Sequence, residues 1–353
     1  MIRSTSWNKS RRRPWVWQYG NPRTFRTVSQ LSWAAGGCRE VVVLDSEAVK
    51  FEKDILKLIP APKQPLKRVS RRIGIHTSTA GGVENAAERA YRLGCGTFQI
   101  FSSSPRQWKP YELVPHQCEV MSNLRQKYDL KPLVIHANYL INPSAINPEF
   151  LQKSVRAFRA ELERALALCA DYLVLHPGSF RGMTREEGLA RVVDSLSAAA
   201  DGLELRKRGL TILIENTAGA EFSLGGSFEQ VGVLIHFLKE SVPVAACIDT
   251  CHTHVSGYDL TTKAGFRETM QRLDDAVGLK NVPVWHCNDA KAARGSKLDR
   301  HEHIGKGNIG LEPFRWLLNH PTTANAAFIA ETPIDEPLDD QRNVQALMRL
   351  VRG

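Results

Sequence analysis

The sequence predicts an α/β fold, a (β/α)8 barrel. Eight short apolar runs rich in β-branched residues recur along the chain, and longer amphipathic stretches separate them. Their spacing, mostly roughly 25–45 residues, is the length of one strand–loop–helix unit. The runs are RIGIH (72–76), TFQIF (97–101), PLVIH (132–136), YLVLH (172–176), TILIE (211–215), AACID (245–249), VPVWH (282–286) and AFIAE (327–331). A doubly wound open sheet is the alternative, although such sheets more often have about five to seven strands.

The composition excludes several classes of protein. With 353 residues, 42% of them apolar, the chain can bury a sizeable core and is not disordered throughout. No stretch approaches the roughly 18 uninterrupted apolar residues of a membrane span. The seven cysteines include no C-x-x-C, so free thiols in a reducing compartment are expected rather than a cysteine-rich zinc site.

The first 71 residues are predicted to be a basic extension that ends in a linker, so that the barrel domain spans 72–353. Residues 1–39 hold eight Lys and Arg and no acid, as in an organelle transit peptide. A nucleic-acid contact, a solvated charge run or a stretch upstream of the true start are the alternatives. Residues 41–59 could form a short strand and helix. The net charge is +11 over 1–72 (16 basic, 5 acidic) and −1 over 73–353 (31 basic, 32 acidic), so any nucleic-acid surface on the barrel must be local.

Seven of the eight runs end on an ionisable side chain, although buried strands are usually apolar. These residues are His76, His136, His176, Glu215, Asp249, His286 and Glu331. A buried polar side chain costs free energy unless a partner uses it. The carboxyl ends of barrel strands meet on one face, where barrel enzymes carry their active sites. A single such residue would be explained as a polar side chain with its hydrogen bonds satisfied at the start of a loop, but seven together predict a shared site.

Imidazoles and carboxylates that converge on one cavity predict a metal centre at the C-terminal ends of the strands. Such nitrogen and oxygen ligands suit zinc or manganese. Two further clusters add ligands: His252 follows Asp249 by three residues, and Asp299 and His301 lie in the loop after the seventh run. This number points to two or three ions, which is typical of phosphoester hydrolysis.

From about Arg72 to the C-terminus, the chain carries a set of motifs in a fixed order. They are GIHTSTAGGVENAAERA, SSPRQW, IHANYLIN, LHPGS, LIENTAG with LGGSFEQ, CIDTCHTHVSGYDL, HCNDAK, GSKLDRHEHIGKGNIG, FRWLL and AET. In these motifs the chain resembles endonuclease IV, the zinc-dependent apurinic/apyrimidinic (AP) endonuclease family of the xylose isomerase-like TIM barrels. Each motif alone is a weak signal, and their joint order carries the resemblance.

The resemblance implies nine ligands for three Zn²⁺ ions, with Mn²⁺ able to replace zinc at some sites. His136 and His176 would bind the first ion, Glu215 would bridge the first and second, Asp249, His286 and Glu331 would complete the second, and His252, Asp299 and His301 would bind the third. His76 matches a family position beside the site that is not a ligand. Glu215 and Glu331 would also act in catalysis by holding the metal-activated water.

The resemblance also implies the reaction, which is cleavage of the phosphodiester 5′ to an abasic site in duplex DNA. The products would be a 3′-hydroxyl and a 5′-deoxyribose phosphate, and blocked 3′ ends would be trimmed by the same chemistry. Arg106, Tyr139 and Leu140 match positions where the family inserts side chains into the duplex. An abasic sugar has lost its base stacking, which lowers the cost of such insertion. Without the motif, loop packing would explain Tyr139 and Leu140 better.

We therefore expect a monomer that binds abasic duplex DNA and no membrane. The expected location is inside the cell: the cytoplasm or nucleoid of a bacterium, or the mitochondrion or nucleus of a eukaryote if residues 1–39 are a transit peptide. A sugar isomerase or epimerase of the same barrel type is one alternative, although it would have no use for a third metal site. A non-catalytic lesion-binding protein is the other, although it would be expected to have lost ligands.

Two further features are assigned no chemistry. Gly305, Gly307 and Gly310 spell G-x-G-x-x-G, but they follow a loop rather than a strand, which favours a turn, with a nearby phosphate as an option, over a dinucleotide site. Cys247 and Cys251, which flank Asp249 in the sequence, are expected to be small buried hydrophobic residues.

Overall fold

A computed structural model describes residues 52–352. Two predictions lie outside the described residues. They are the possible transit peptide of residues 1–39 and the part of the strand predicted within 41–59 that precedes residue 52. The strands are β1 (Arg72–Ile75), β2 (Phe98–Phe101), β3 (Leu133–His136), β4 (Tyr172–Leu175), β5 (Thr211–Glu215), β6 (Val244–Asp249), β7 (Val284–His286), β8 (Asp289–Ala290), β9 (His301–Glu302) and β10 (Ala327–Ala330).

Eight of these strands form one parallel sheet, and the predicted (β/α)8 barrel is confirmed. The order of neighbours is β1-β10-β7-β6-β5-β4-β3-β2, while β8 and β9 form a separate antiparallel ribbon. The two ends of the sheet meet through a parallel bridge between His76 and Gln99. Gly74 permits this closure, because a Cβ there would lie 2.1 Å from the carbonyl oxygen of Thr97.

The helices alternate with the barrel strands and cover the outside of the sheet. They are α1 (Ile55–Leu58), α2 (Asn85–Arg92), α3 (Pro115–Lys127), α4 (Pro148–Ala167), α5 (Arg185–Ala200), α6 (Leu205–Arg208), α7 (Phe228–Leu238), α8 (Thr250–Ser256), α9 (Lys263–Ala276), α10 (Leu311–Leu318) and α11 (Asp339–Leu350), with short 3₁₀ turns at Leu279–Asn281 and Pro321–Thr323. None of the helices within 52–352 combines the length and apolar character that a membrane crossing needs.

Local sequence signals explain where these helices begin and which face they bury. Thr184 and Glu187 form a reciprocal capping box at the start of α5. Asn147 caps α4 by accepting a hydrogen bond from the amide of Phe150 at 2.9 Å. In α4, Phe158 and Leu162 are buried one turn apart, which is the helical spacing expected of a face that packs on a sheet.

The alternation of side chains along the strands decides which residues reach the site. Seven buried residues form a core cluster separate from the larger core: Val134, Val174, Leu213, Cys247, Val284, Ala327 and Ile329. Because successive side chains point to opposite faces, a residue two positions after an interior one also faces the interior. Six strand-end residues stand two positions after members of this cluster, so they face the carboxyl end of the barrel interior: His136, His176, Glu215, Asp249, His286 and Glu331.

Residues 52–71 pack against the barrel. Ile55 of α1, inside the range 41–59 predicted to contain a helix, is buried in the main core. Asp54 accepts a hydrogen bond from the guanidinium of Arg89 on α2 at 2.9 Å, and Arg71 donates to the carbonyl oxygen of Leu318 at 2.7 Å. A domain boundary near residue 72 stays a prediction.

Candidate metal centre

Glu215, at the end of β5, stands at the centre of the site and is fully buried. Its Oε2 atom lies 3.2 Å from Nε2 of His136 and 3.1 Å from Nε2 of His176. Its Oε1 atom lies 3.1 Å from Nδ1 of His286 and 3.3 Å from Nδ1 of His252. Each carboxylate oxygen therefore faces a different pair of imidazoles, which is the arrangement that a bridging ligand requires.

A second cluster forms around Glu331, which follows β10. Its Oε2 atom lies 3.1 Å from Nδ1 of His286, and its Oε1 atom accepts a hydrogen bond from the side-chain amide of Gln99 at 2.5 Å. His76 approaches the same Oε1 atom at 3.3 Å through Nδ1. Candidate ligand atoms of Glu215, Asp249, His286 and Glu331 all lie within 4.8 Å of one another.

A third cluster lies on the other side of His252. Its Nε2 atom is 3.2 Å from Oδ2 of Asp299, and Nε2 of His301 is 3.3 Å from Oδ1 of the same aspartate. Asp249 connects this cluster with the second, because its Oδ2 atom is 3.7 Å from Nε2 of His301. The structure thus brings all nine predicted ligands into three adjoining groups, and their role as metal ligands stays a prediction.

The local chain geometry explains how Asp249 and His252 reach the same place. Asp249 ends β6 and also caps α8, since its Oδ1 atom accepts a hydrogen bond from the amide of His252 at 2.7 Å. The helix therefore begins immediately after the strand, and its first turn carries His252 toward Glu215. His301 arrives from β9, where it is paired with Ala290 of β8.

Four of the imidazoles have one ring nitrogen committed to a hydrogen bond, which directs the other toward the cavity. The committed contacts are His136 Nδ1 with the Ala137 carbonyl oxygen at 2.8 Å, His252 Nδ1 with that of Asn216 at 2.9 Å, His301 Nδ1 with that of Glu331 at 2.9 Å, and His286 Nε2 with Oε1 of Gln99 at 2.8 Å. Such contacts select the tautomer that a metal ligand needs.

The electrostatics of the site favour bound cations. Burial by itself would raise the pKa of Glu215, but the facing imidazoles of His176 and His286 hold it well below its ordinary value. Burial would lower the pKa of His252, but the carboxylates of Asp249 and Asp299 raise it well above its ordinary value. The pKa of Asp299 is lowered too, since the imidazoles of His252 and His301 outweigh its burial. Glu215 and Asp299 are therefore ionised and attract positive charge into a buried site.

The donor set fits divalent metal ions. The Nε2 atoms of His252 and His301 are buried and, among residues 52–352, face carboxylate oxygens of Asp299 at 3.2 and 3.3 Å without meeting hydrogen-bond geometry, which is an arrangement that a bound cation would satisfy. Cys251 also lies within 4.8 Å of Asp249 and His301. Burial raises the pKa of its thiol, and its sulfur donates to the carbonyl oxygen of Arg300 at 3.7 Å, so it remains a neutral thiol.

The predicted DNA-contacting residues lie on two adjacent loops at the same end of the barrel. Arg106 and Tyr139 are exposed and Leu140 is half-buried. The ring of Tyr139 stands edge-on to His136, with ring centroids 5.6 Å apart. The side-chain amide of Asn138 joins the two loops by donating to the carbonyl oxygens of residues 104 and 107 at 3.1 and 2.6 Å. Their contact with DNA stays a prediction.

Three residues of the site were missed by sequence reasoning. Gln99 contacts Glu331 and His286, Asn216 accepts a hydrogen bond from the amide of Asp249 at 2.7 Å, and Asn288 donates to Oδ2 of Asp249 at 2.5 Å. Each was visible as an amide within an apolar strand or one or two residues after its end. Gln99 was the clearest signal, because β2 has a polar residue at its centre and ends on a phenylalanine.

Comparisons with known proteins agree with this geometry. A family described as the xylose isomerase-like TIM barrel (AP_endonuc_2) matches residues 87–352. Probable endonuclease 4 of Solibacter usitatus is 47% identical over 281 residues, which cover 79% of this chain and 96% of that protein. The chain belongs to the endonuclease IV family. Probable endonuclease 4 of Chloroflexus aurantiacus is 39% identical over 284 residues, which cover 80% of this chain and 99% of the relative.

Solved structures that superpose on this chain include an endonuclease IV and a sugar epimerase-like protein. The crystal structure of endonuclease IV from Thermus thermophilus superposes with a TM-score of 0.69 at 37% identity, covering 79% of this chain and 98% of that one. A D-tagatose 3-epimerase-like protein superposes with a TM-score of 0.57 at 20% identity, covering 79% of this chain and 96% of that one, which shows only a shared barrel fold. The predicted family is confirmed.

Proposed function

We propose that this chain is a zinc-dependent AP endonuclease that hydrolyses the phosphodiester 5′ to an abasic site in duplex DNA. The observation that carries the proposal is the set of three adjoining ligand groups joined through Glu215 and Asp249, in a chain of the endonuclease IV family. The same chemistry would remove blocking groups from 3′ ends.

The three groups would hold three zinc ions. His136, His176 and Glu215 would bind the first, and His252, Asp299 and His301 would bind the third. The second would use the buried group formed by Glu215, Asp249, His286 and Glu331. When bound, zinc supplies Lewis-acid chemistry: it lowers the pKa of water toward about 7 and neutralises charge on a phosphate. Manganese suits the same nitrogen and oxygen donors.

The residues of the chain hold this centre rigid and place the nucleophile. In the reaction a bond forms between the water oxygen and phosphorus, the bond from phosphorus to the 3′ oxygen breaks, and that oxygen gains a proton. Glu215 and Glu331 would orient the attacking water while they bind metal. Glu331 is fixed for this role, because its amide donates to Oδ1 of Asn288 at 2.7 Å and Gln99 donates to its carboxylate.

The two loops that carry Arg106, Tyr139 and Leu140 would bind the lesion. An exposed cation can contact the phosphate backbone, and an aromatic and an aliphatic side chain beside it can fill the space left by a missing base. Tyr139 packs against His136, so a wedge at this position would bring the abasic sugar next to the first ligand group. We further propose that the enzyme acts as a monomer, since one chain supplies all nine ligands.

The test is incision of a labelled duplex with one tetrahydrofuran abasic analogue, using as-purified, chelator-stripped and zinc-restored protein. The analogue cannot undergo β-elimination, so a lyase leaves it intact. We expect a single cut 5′ to the lesion that is lost on stripping and restored by zinc at about three ions per chain. Absence of cutting in protein that carries three zinc ions, together with turnover of a sugar panel, would contradict the proposal.

A further inference from the structure

The side chain of Asp289, in the ribbon strand β8, is a fully buried carboxylate that accepts four hydrogen bonds from backbone amides. Its Oδ1 atom accepts from Ala290 and Ile309, each at 2.8 Å. Its Oδ2 atom accepts from Gly305 at 3.0 Å and from Gly310 at 3.2 Å. A carboxylate that accepts several such hydrogen bonds is strongly held.

Three of the four donors come from the G-x-G-x-x-G segment, which explains why glycine stands at its fixed positions. Gly305 and Gly310 both have φ of +78°, a conformation that side chains other than glycine rarely adopt. A Cβ at Gly307 would lie 2.4 Å from the carbonyl oxygen of Ala290 and 2.6 Å from Oδ1 of Asp289. The segment thus forms a nest of backbone amides of the kind that usually binds phosphate, and here an internal carboxylate fills it.

This nest fixes the base of the loop that carries two ligands of the third group. β8 pairs with β9 so that Asp289 lies opposite Glu302 and Ala290 lies opposite His301. Between the two strands, the amide of Lys291 donates to the carbonyl oxygen of Arg300 at 2.9 Å, which closes the loop next to Asp299.

The nest also connects the loop to the rest of the barrel. Gly310 precedes α10, so the carboxylate of Asp289 lies at the positive end of that helix. The side-chain amide of Asn308 donates to the carbonyl oxygens of Ala290 and Lys291 at 3.2 and 2.9 Å. The β8 side of the ribbon is therefore bound to the segment that starts α10, through the Asp289 carboxylate and through backbone carbonyl oxygens.

We propose that Asp289 is a positioning residue for the third metal site, and that its carboxylate, bound in the nest of residues 305–310, holds Asp299 and His301 in ligating geometry. The inference rests on the proposed zinc ligation by these two residues. It also means that the G-x-G-x-x-G segment is not a site for a free phosphate, because the position of the anion is already taken.

The experiment compares Asp289→Ala, Asp289→Asn and the wild-type protein by counting bound zinc and measuring zinc affinity in chelator competition. For Asp289→Ala we expect one ion to be bound about 10–100-fold more weakly while the other two remain. Added formate should restore the third ion, because it can occupy the vacated carboxylate position. Asp289→Asn should lose the ion without rescue, since its amide fills that space and presents donors to the donors of the nest.

Asp171→Ala is the matched control. Its carboxylate also accepts a backbone hydrogen bond, from Leu133 at 2.7 Å, but it immediately precedes β4 at the opposite end of the barrel. This variant should keep three zinc ions, with or without formate. Unchanged zinc affinity in both Asp289 variants, or loss of the third ion that formate does not restore in Asp289→Ala, would overturn the proposal.

Hydrogen exchange on metal-stripped wild-type protein tests the nest without any variant. The amides of Gly305, Ile309 and Gly310 should be protected, and exchange at the rate of an open loop would overturn the proposal even if the variants failed to fold. Wild-type protein that binds fewer than three zinc ions while these amides are protected would contradict the metal assignment instead.

Discussion

Replacing Glu215 by glutamine removes the negative charge on which two groups of imidazoles converge. One carboxylate oxygen faces His136 and His176, and the other faces His252 and His286, at distances of 3.1–3.3 Å. A glutamine keeps the size of the side chain, but one of its two ends is an NH₂ group that only donates. Whichever way the amide turns, it cannot ligate ions on both sides, so we expect the bridge to fail.

The size of the effect follows from the burial of the carboxylate. Removing one partner from a buried ionic contact costs about 3–5 kcal/mol, which corresponds to roughly 10²–10⁴ in affinity. We therefore expect metal affinity at the first and second groups to fall by about this factor. Turnover should fall by at least as much, because the proposed reaction needs both groups.

The assay is zinc content together with incision of the tetrahydrofuran duplex, with circular dichroism to show that the barrel is folded. Glu161→Gln is the matched control, since Glu161 is another buried glutamate and its Oε2 atom accepts a hydrogen bond from the hydroxyl of Ser102 at 2.6 Å. Burial raises the pKa of Glu161, so a neutral amide is a small change there. A folded Glu215→Gln protein with three zinc ions and wild-type turnover would refute the bridging assignment.

Three further predictions concern stability, pH and DNA binding. Burial, with Asp339 beside it, raises the pKa of Asp340 to about 6 from an ordinary value of 3.8, so the stability of the protein should fall as pH rises from about 4 to about 6. In urea unfolding, Asp340→Asn should stabilise the protein by about 2–3 kcal/mol at pH 7 and should have no effect below about pH 4. In metal-stripped protein, the raised pKa of His252 contributes stability that is fully present below about pH 6.5 and is lost as pH rises through the folded-state pKa. The gain in Tm on adding zinc should therefore be larger at pH 8 than at pH 6. A larger gain at pH 6 would contradict this prediction. Arg106→Ala should lower kcat/KM on the abasic duplex by about tenfold and weaken its salt dependence while zinc content stays unchanged; an unchanged salt dependence would exclude a phosphate contact.

Much of the barrel and most of the candidate site could be predicted from short-range patterns in the sequence. The eight runs coincide with eight parallel strands, because a buried strand needs a run of apolar residues of its own length. The position of the ionisable residue also indicates where its side chain points. It stands two residues after an apolar interior residue, and because successive side chains of a strand alternate, it faces the barrel interior as well. Asp299 and His301 carry no such periodicity: their D-x-H spacing marked them as candidate ligands, and only the resemblance to endonuclease IV assigned them to a third ion.

The sequence by itself determined the strand order along the chain, the alternation of inward and outward residues, and the types of side chain available at the mouth of the barrel. The tertiary structure decided which atoms meet, such as the two oxygens of Glu215 with four imidazoles from four parts of the chain. It also showed that Gln99 fixes His286, and that Asp289 fills the glycine nest. The physical reason is that periodicity is set by neighbours along the chain, whereas these contacts depend on how the barrel closes and on where backbone amides point after folding.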